Sequence, residues 1–164
     1  MKIQVEYSDN TTAIFDNMDD CVNDYRYNDI TVLYCANNNL YELPTLPPKL
    51  QILDCPRNNL TTLPVLPDSL KYIYACHNNL TTLPNYLPSS IIELFVEHNN
   101  ITHFPSGIVN MSTRVRFYYI GNNINIDNHD TNVRTWLMEN KEIMDKINAY
   151  NPTAGIAVSY TNLV

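Results

Sequence analysis

The sequence predicts an α/β-type solenoid with a parallel β-sheet on its concave face and a polyproline-like convex side. A hairpin is expected to cap the N-terminus and a helix the C-terminus. Three observations predict this. A segment of about twenty residues recurs four times from Ile30 onward, asparagine returns at one fixed place in each copy, and prolines punctuate the rest. Self-similarity at such a period marks architectures in which each unit contacts only its neighbours in the stack.

The copies align without gaps through their asparagines: ITVLYCANNNLYELPTLPPK from Ile30, LQILDCPRNNLTTLPVLPDS from Leu50, LKYIYACHNNLTTLPNYLPSS from Leu70 and IIELFVEHNNITHFPSGI from Ile91. One extra residue falls at Tyr86. Each copy reads L-x-x-L-x-(C/A/V)-x-x-N-x-L, followed by a Leu-Pro or Phe-Pro step. Apolar residues two apart suit a short strand with one buried face. That places Leu33, Leu53, Ile73 and Leu94 inward, with Cys35, Cys55, Ala75 and Val96 two residues later. Leu40, Leu60, Leu80 and Ile101 close the turn. Asn38, Asn58, Asn78 and Asn99 fall where the chain leaves the strand and its peptide groups would be buried. A carboxamide both donates and accepts, so these four predict a ladder through the stack.

This pattern resembles the leucine-rich repeats, and its LPxLPxxL tail is similar to the short subclass of bacterial secreted effectors, such as Yersinia outer protein M and the invasion-plasmid-antigen ubiquitin ligases. The resemblance covers residues 30–124. It implies a curved platform for protein binding. The AT-rich codons behind the abundant Asn, Ile and Tyr add the expectation of a large DNA virus or another AT-rich source. The ligases of that group carry a helical catalytic domain with a Cys-x-Asp motif. Here no cysteine follows the repeats, and Cys21 begins CVND, with the wrong spacing at the wrong end. Ligase activity therefore does not carry over.

Twenty residues leave no room for a helix on the return path. Pro44, Pro47, Pro64, Pro67, Pro84, Pro88 and Pro105 favour extended backbone there. A fifth coil is expected at VRFYYIGNNI, with Phe117 and Tyr119 inward, Asn122 in the ladder and Ile124 closing. Its opening position, Arg114, is wrong for a core. The competing register buries Val115, Tyr118 and Ile120 and leaves Asn125 where leucine belongs. The resulting division is 1–29 as N-terminal cap, 30–124 as repeats and 125–164 as C-terminal cap and tail.

Stacked coils expose an apolar face at each end, which caps must cover. Ile3, Val5 and Tyr7 alternate with polar residues, and Ser8-Asp9-Asn10 reads as a turn before TTAIF, a hairpin signal. An acidic link follows, and residues 1–30 hold seven acids against Lys2 and Arg26. At the far end, Asp130 or Thr131 is expected to start a helix reaching Tyr150. Val133, Trp136, Leu137, Met144 and Ile147 form its stripe, and Pro152 stops it.

Composition excludes several functions. Ten Lys and Arg against seventeen acids, a net charge of -7, supply too few phosphate contacts for nucleic acid. No apolar run approaches the ~18 residues of a membrane span, and the start does not read as a secretion signal. A cytoplasmic protein is expected, in a host cell's cytoplasm if the source is a virus or an effector-producing bacterium. Phosphate loops, nucleophile elbows and zinc-protease motifs are absent, and three glycines leave little for a phosphate cradle. No cofactor, metal or enzymatic activity is expected. Cys35 and Cys55 read as buried thiols, and Cys76 as a thiol on the open face. Sequons at Asn59, Asn79 and Asn100 arise from the repeat itself.

What remains is a surface. Side chains flanking the inward ones face the concave side: Tyr34, Asp54, Tyr74, Phe95 and Tyr118 in the central column. Val32, Ile52, Tyr72, Glu93 and Arg116 stand before them, and Asn37, Arg57, His77 and His98 at the strand exit. This aromatic stripe with a polar, mildly basic border is the composition of protein interfaces. The predicted binding residues are Tyr34, Asp54, Arg57, Tyr72, Tyr74, His77, Phe95, His98 and Tyr118. A monomer that binds another protein is expected, and a self-assembling structural protein is the alternative.

Overall fold

Each coil spends three to five residues on a strand and the rest on a return without regular structure, which is all that twenty residues allow. In the computed structural model, which describes residues 2–112, 114–140 and Asp145, the strands are β1 (Ile3–Tyr7), β2 (Thr12–Phe15), β3 (Ile30–Tyr34), β4 (Ile52–Asp54), β5 (Tyr72–Tyr74), β6 (Glu93–Phe95) and β7 (Arg116–Tyr118). They form one seven-stranded sheet in the order β2-β1-β3-β4-β5-β6-β7. β3 to β7 run parallel, while β1 and β2 are antiparallel additions. The hairpin thus does more than lie over the first coil: β1 pairs with β3 and continues the sheet.

The pairing register sorts side chains into rows that cross all seven strands. Ala13, Val5, Leu33, Leu53, Ile73, Leu94 and Phe117 form the inward row. Behind it, Cys35, Cys55, Ala75 and Val96 are fully buried, as are Leu60, Leu80 and Ile101. The leucines of each Leu-Pro step (Leu43, Leu46, Leu63, Leu66, Leu83, Leu87) also turn inward, so the return path supplies the core wall opposite the sheet. Each return then closes in a tight turn: the amides of Leu50, Leu70 and Ile91 donate to the carbonyls of Pro47, Pro67 and Pro88 at 3.1, 3.0 and 3.2 Å. The fourth return differs and forms a 3-10 turn over Ser106–Asn110. It presses so close to the preceding coil that a Cβ on Gly107 would stand 2.0 Å from the Asn85 carbonyl oxygen. The inserted Tyr86 bulges outward, and its hydroxyl donates to Asp68 at 2.5 Å.

The asparagine ladder is present and joins every coil to the one before it. Asn58 Oδ1 accepts from the amides of Asn38 and Leu40, both at 3.0 Å, while its Nδ2 donates to the carbonyls of Cys35 and Cys55. Asn78 accepts from Leu60 and donates to Cys55 and Ala75. Asn99 accepts from Leu80 and donates to Ala75 and Val96. Asn122 accepts from Ile101 and donates to Val96 and Tyr119. Asn38, the first rung, exchanges both bonds with Lys2, so the hairpin is tied on by the same device.

Asn122 settles the fifth coil in the first register, with Phe117 buried opposite Leu94. The obstacle at Arg114 disappears because Val115 turns in and fills the opening position while Arg114 stays in solvent. In the caps, Asn17 Oδ1 caps α1 (Met18–Val22) and Asp130 Oδ1 caps α2 (Thr131–Glu139). Val133, Trp136 and Leu137 of α2 are buried. The Phe104 amide donates to His129 Nε2 at 2.8 Å, fastening this cap to the fourth coil. Met144, Ile147, Tyr150 and the expected last strand lie outside the described residues.

Removing one rung should cost far more than removing its neighbour. Asn78→Ala leaves the Leu60 amide and two carbonyls without this partner, at about 1–3 kcal/mol for an unsatisfied buried group. Urea unfolding should show a loss of about 3 kcal/mol. Asn79→Ala, which changes an exposed side chain, should stay within about 0.5 kcal/mol. Equal losses would contradict a buried ladder.

Candidate functional site

The register carries the concave side onto the cap as well. The central column runs Ile14, Gln4, Tyr34, Asp54, Tyr74, Phe95 and Tyr118, and the column before it Thr12, Glu6, Val32, Ile52, Tyr72, Glu93 and Arg116. All nine predicted binding residues lie on this face or its rim. They are not equally available. Tyr74, Phe95 and Tyr118 pack on one another edge to face, with centroids 5.2 and 4.4 Å apart, and are only 5–7 % exposed. Strand spacing of about 4.8 Å brings neighbouring rings of one column into the roughly 4.5–7 Å centroid range of aromatic pairs, so they pack edge to face. The expectation of an open aromatic stripe is corrected accordingly: the stripe is a second small core, packed with Ile52 and Tyr72. Tyr34 and Tyr72 remain half-buried.

At the rim, Arg57, His77 and His98 are exposed, and each has positive φ, 52–55°. Asn37 and Gly121 hold the same place in the first and last coils, also at positive φ. Left-handed backbone costs an ordinary side chain about 1 kcal/mol and glycine almost nothing. The His77 and His98 rings stack at 4.6 Å with 11° between planes. Gly121 lies against the second ring, where a Cβ would come within 2.5 Å of His98 Nδ1. Burial, then the charges of His98 and Arg57, lowers the His77 pKa.

The acids of the face divide into paired and unpaired. Glu93 forms an ion pair with Arg116 and accepts from the Tyr74 hydroxyl at 2.8 Å. Asp54 and Glu97 belong to no ion pair among the described residues. Glu97 is 3 % exposed, and neither carboxylate oxygen accepts a hydrogen bond from another residue among the described residues, its own backbone amide being the one donor that bears on it. Burial pushes its pKa up to about 7 and that of Asp54 up to about 6. Cys76 was expected as an open thiol with a chance of reactivity. Its environment works against that, because burial first and the Glu97 and Asp54 charges next raise it to about 12. All four cysteines are free thiols, and no group of three or more metal-ligating side chains could hold an ion among the described residues.

Sequence reasoning missed Glu97. The signal was available: its column otherwise reads Ala36, Pro56, Cys76 and Ile120, without an acid. Hairpin residues Ile14, Gln4 and Glu6 were missed because their side of the sheet depends on the β1–β3 pairing.

No protein-family model matches the chain, and no curated protein matches it. Seventeen chains among solved structures do. One is YopM from Yersinia enterocolitica WA-314, at 35 % identity and TM-score 0.50 over 56 % of this chain and 20 % of that one. Another is a Shigella effector LRR domain, at 30 % identity and TM-score 0.54 over 65 % of this chain and 46 % of that one. The fold is a short-period leucine-rich-repeat solenoid. The chain spans less than half the length of either neighbour. Both neighbours are bacterial, and neither supports the expected viral source. Among the described residues, no helix is long and apolar enough to cross a membrane.

The unpaired acid makes stability depend on pH. The folded value of about 7 for Glu97 lies above its ordinary 4.5, so the folded state binds the proton more tightly and stability falls as pH rises from about 4.5 to 7. Glu97→Gln cannot ionise. Thermal melts should show little difference from wild type at about pH 5 and a more stable variant at about pH 8. A constant difference would contradict the buried, unpaired carboxylate.

Proposed function

We propose that the chain is a non-catalytic module that binds another protein on the concave face of the solenoid. The observation that carries this reading is the rim. Arg57, His77 and His98 occupy left-handed positions that Asn37 and Gly121 fill at lower cost, and all three side chains project into solvent. Strained, exposed side chains in a row are features a fold does not need for itself, and such strain concentrates at working surfaces. Tyr34 in the central column and Tyr72 on its far side from the rim add amphipathic contact area, and the packed Tyr74, Phe95 and Tyr118 form a floor between. The effector domains to which the fold is similar support an interaction role. The reading places the module in the cytoplasm, a host's cytoplasm if the chain is delivered as an effector.

Self-assembly is the second reading, favoured by one observation: β2 is an outer strand with no further strand beside it among the described residues, and its Ile14 is 64 % exposed. Sedimentation across a range of concentrations separates the two, and the binding-module reading predicts a monomer at micromolar levels.

The rim has a sharper test. Arg57→Gly with His77→Gly relieves two left-handed side chains, so stability should hold or rise by up to about 2 kcal/mol. Adding Tyr72→Ala should lower partner affinity at least about tenfold, the scale of a central interface residue. Unaltered capture of the partner by this folded variant would refute the assignment of the face.

A further inference from the structure

We propose that the concave face takes up a basic side chain, an arginine or lysine of the partner polypeptide, between Asp54 and Glu97 and beside the Tyr74, Phe95 and Tyr118 rings. The inference rests on the concave face being the binding surface and adds the chemistry of what enters it.

Both acids are departures from the repeat that the fold does not require. Asp54 interrupts a column that is otherwise Tyr34, Tyr74, Phe95 and Tyr118, and Glu97 interrupts one that is otherwise Ala36, Pro56, Cys76 and Ile120. The register sets them two strands apart on the same side of the sheet: Asp54 is level with Tyr74 and Phe95, Glu97 stands two residues beyond Phe95, and Cys76 of the intervening coil lies between. Glu93 shows what a satisfied acid on this face looks like, with its arginine and its tyrosine hydroxyl. Asp54 and Glu97 have no cation, and both Glu97 oxygens are shielded from solvent without a hydrogen bond from another residue among the described residues.

A carboxylate held away from water without donors costs several kcal/mol, and proteins ordinarily pair it. An apolar partner would deepen that cost, whereas an arriving guanidinium or ammonium would replace it with charge-assisted hydrogen bonds. A metal ion does not fit, because no three ligating groups converge among the described residues. Uptake requires the side chains over Glu97 to move; of its two cross-strand neighbours, Cys76 is half-buried and Ile120 is 44 % exposed. Exposed side chains rotate within nanoseconds.

The test selects peptides from a random display library on the full-length protein and measures them, once synthesised, by calorimetry. The proposal expects an arginine or lysine common to the peptides whose binding is lost in the Arg57→Gly/His77→Gly variant. Replacing a selected arginine by citrulline, or a selected lysine by acetyl-lysine, removes the positive charge and should weaken binding at least about tenfold. Glu97→Gln and Asp54→Asn should do the same while melting no lower than wild type. Rim-dependent peptides that lack a basic residue, or that bind Glu97→Gln as tightly as wild type, overturn this inference and leave the concave reading standing. Peptides indifferent to both rim and acid variants, or no peptide at all, count against both.

Discussion

A chain that winds in coils of twenty residues must leave its strand abruptly, and wherever it does so peptide groups are stranded beneath the surface. The carboxamide of one asparagine per coil meets that constraint, and the rest of the molecule follows from it. Because Asn58, Asn78, Asn99 and Asn122 each accept from the previous coil and donate to both coils, the strands are held in one register. The register in turn stacks Leu33, Leu53, Ile73, Leu94 and Phe117 into one core row. Hydrophobic burial supplies the driving force, and the ladder decides which arrangement it drives.

The same register gives the concave face its character. Side chains one strand apart are close enough for aromatic rings to pack, so the central column closes into a floor. Around it stand the rim of Arg57, His77 and His98, the half-buried Tyr34 and Tyr72, and two acids that no cation pairs among the described residues. The face is therefore rigid where it is apolar and uncommitted where it is charged. That combination suits recognition, since little order has to be gained on binding.

Much of this was legible in the sequence, and the parts that were not share a cause. The repeat fixed the inward row, the ladder and the membership of the concave columns, because each is a consequence of periodicity within the chain. Asp130 as the cap of α2 and the turn at Ser8-Asp9-Asn10 were readable from local chemistry. Exposure was not readable: that Tyr74, Phe95 and Tyr118 cover one another depends on distances across strands. Nor was the junction at Val115, where a one-residue adjustment buries a valine and frees Arg114. Cys76 looked open by alternation, yet it is half-buried and two carboxylates bear on it. Glu97 stood out against its column, but only geometry shows that nothing within the described chain pairs with it. Pairwise alternation tells which side a residue faces, and the third dimension tells what meets it there.

Native-state hydrogen exchange tests the central claim most directly, through the amides of Leu60, Leu80 and Ile101, which donate to Asn78, Asn99 and Asn122 at 3.0, 2.9 and 2.9 Å. If the carboxamide ladder holds the stack together, these amides exchange only through global opening, as slowly as the central strands. Exchange as fast as that of Asp9 at the exposed hairpin tip would mean that the rungs are open to water and that something else sets the register.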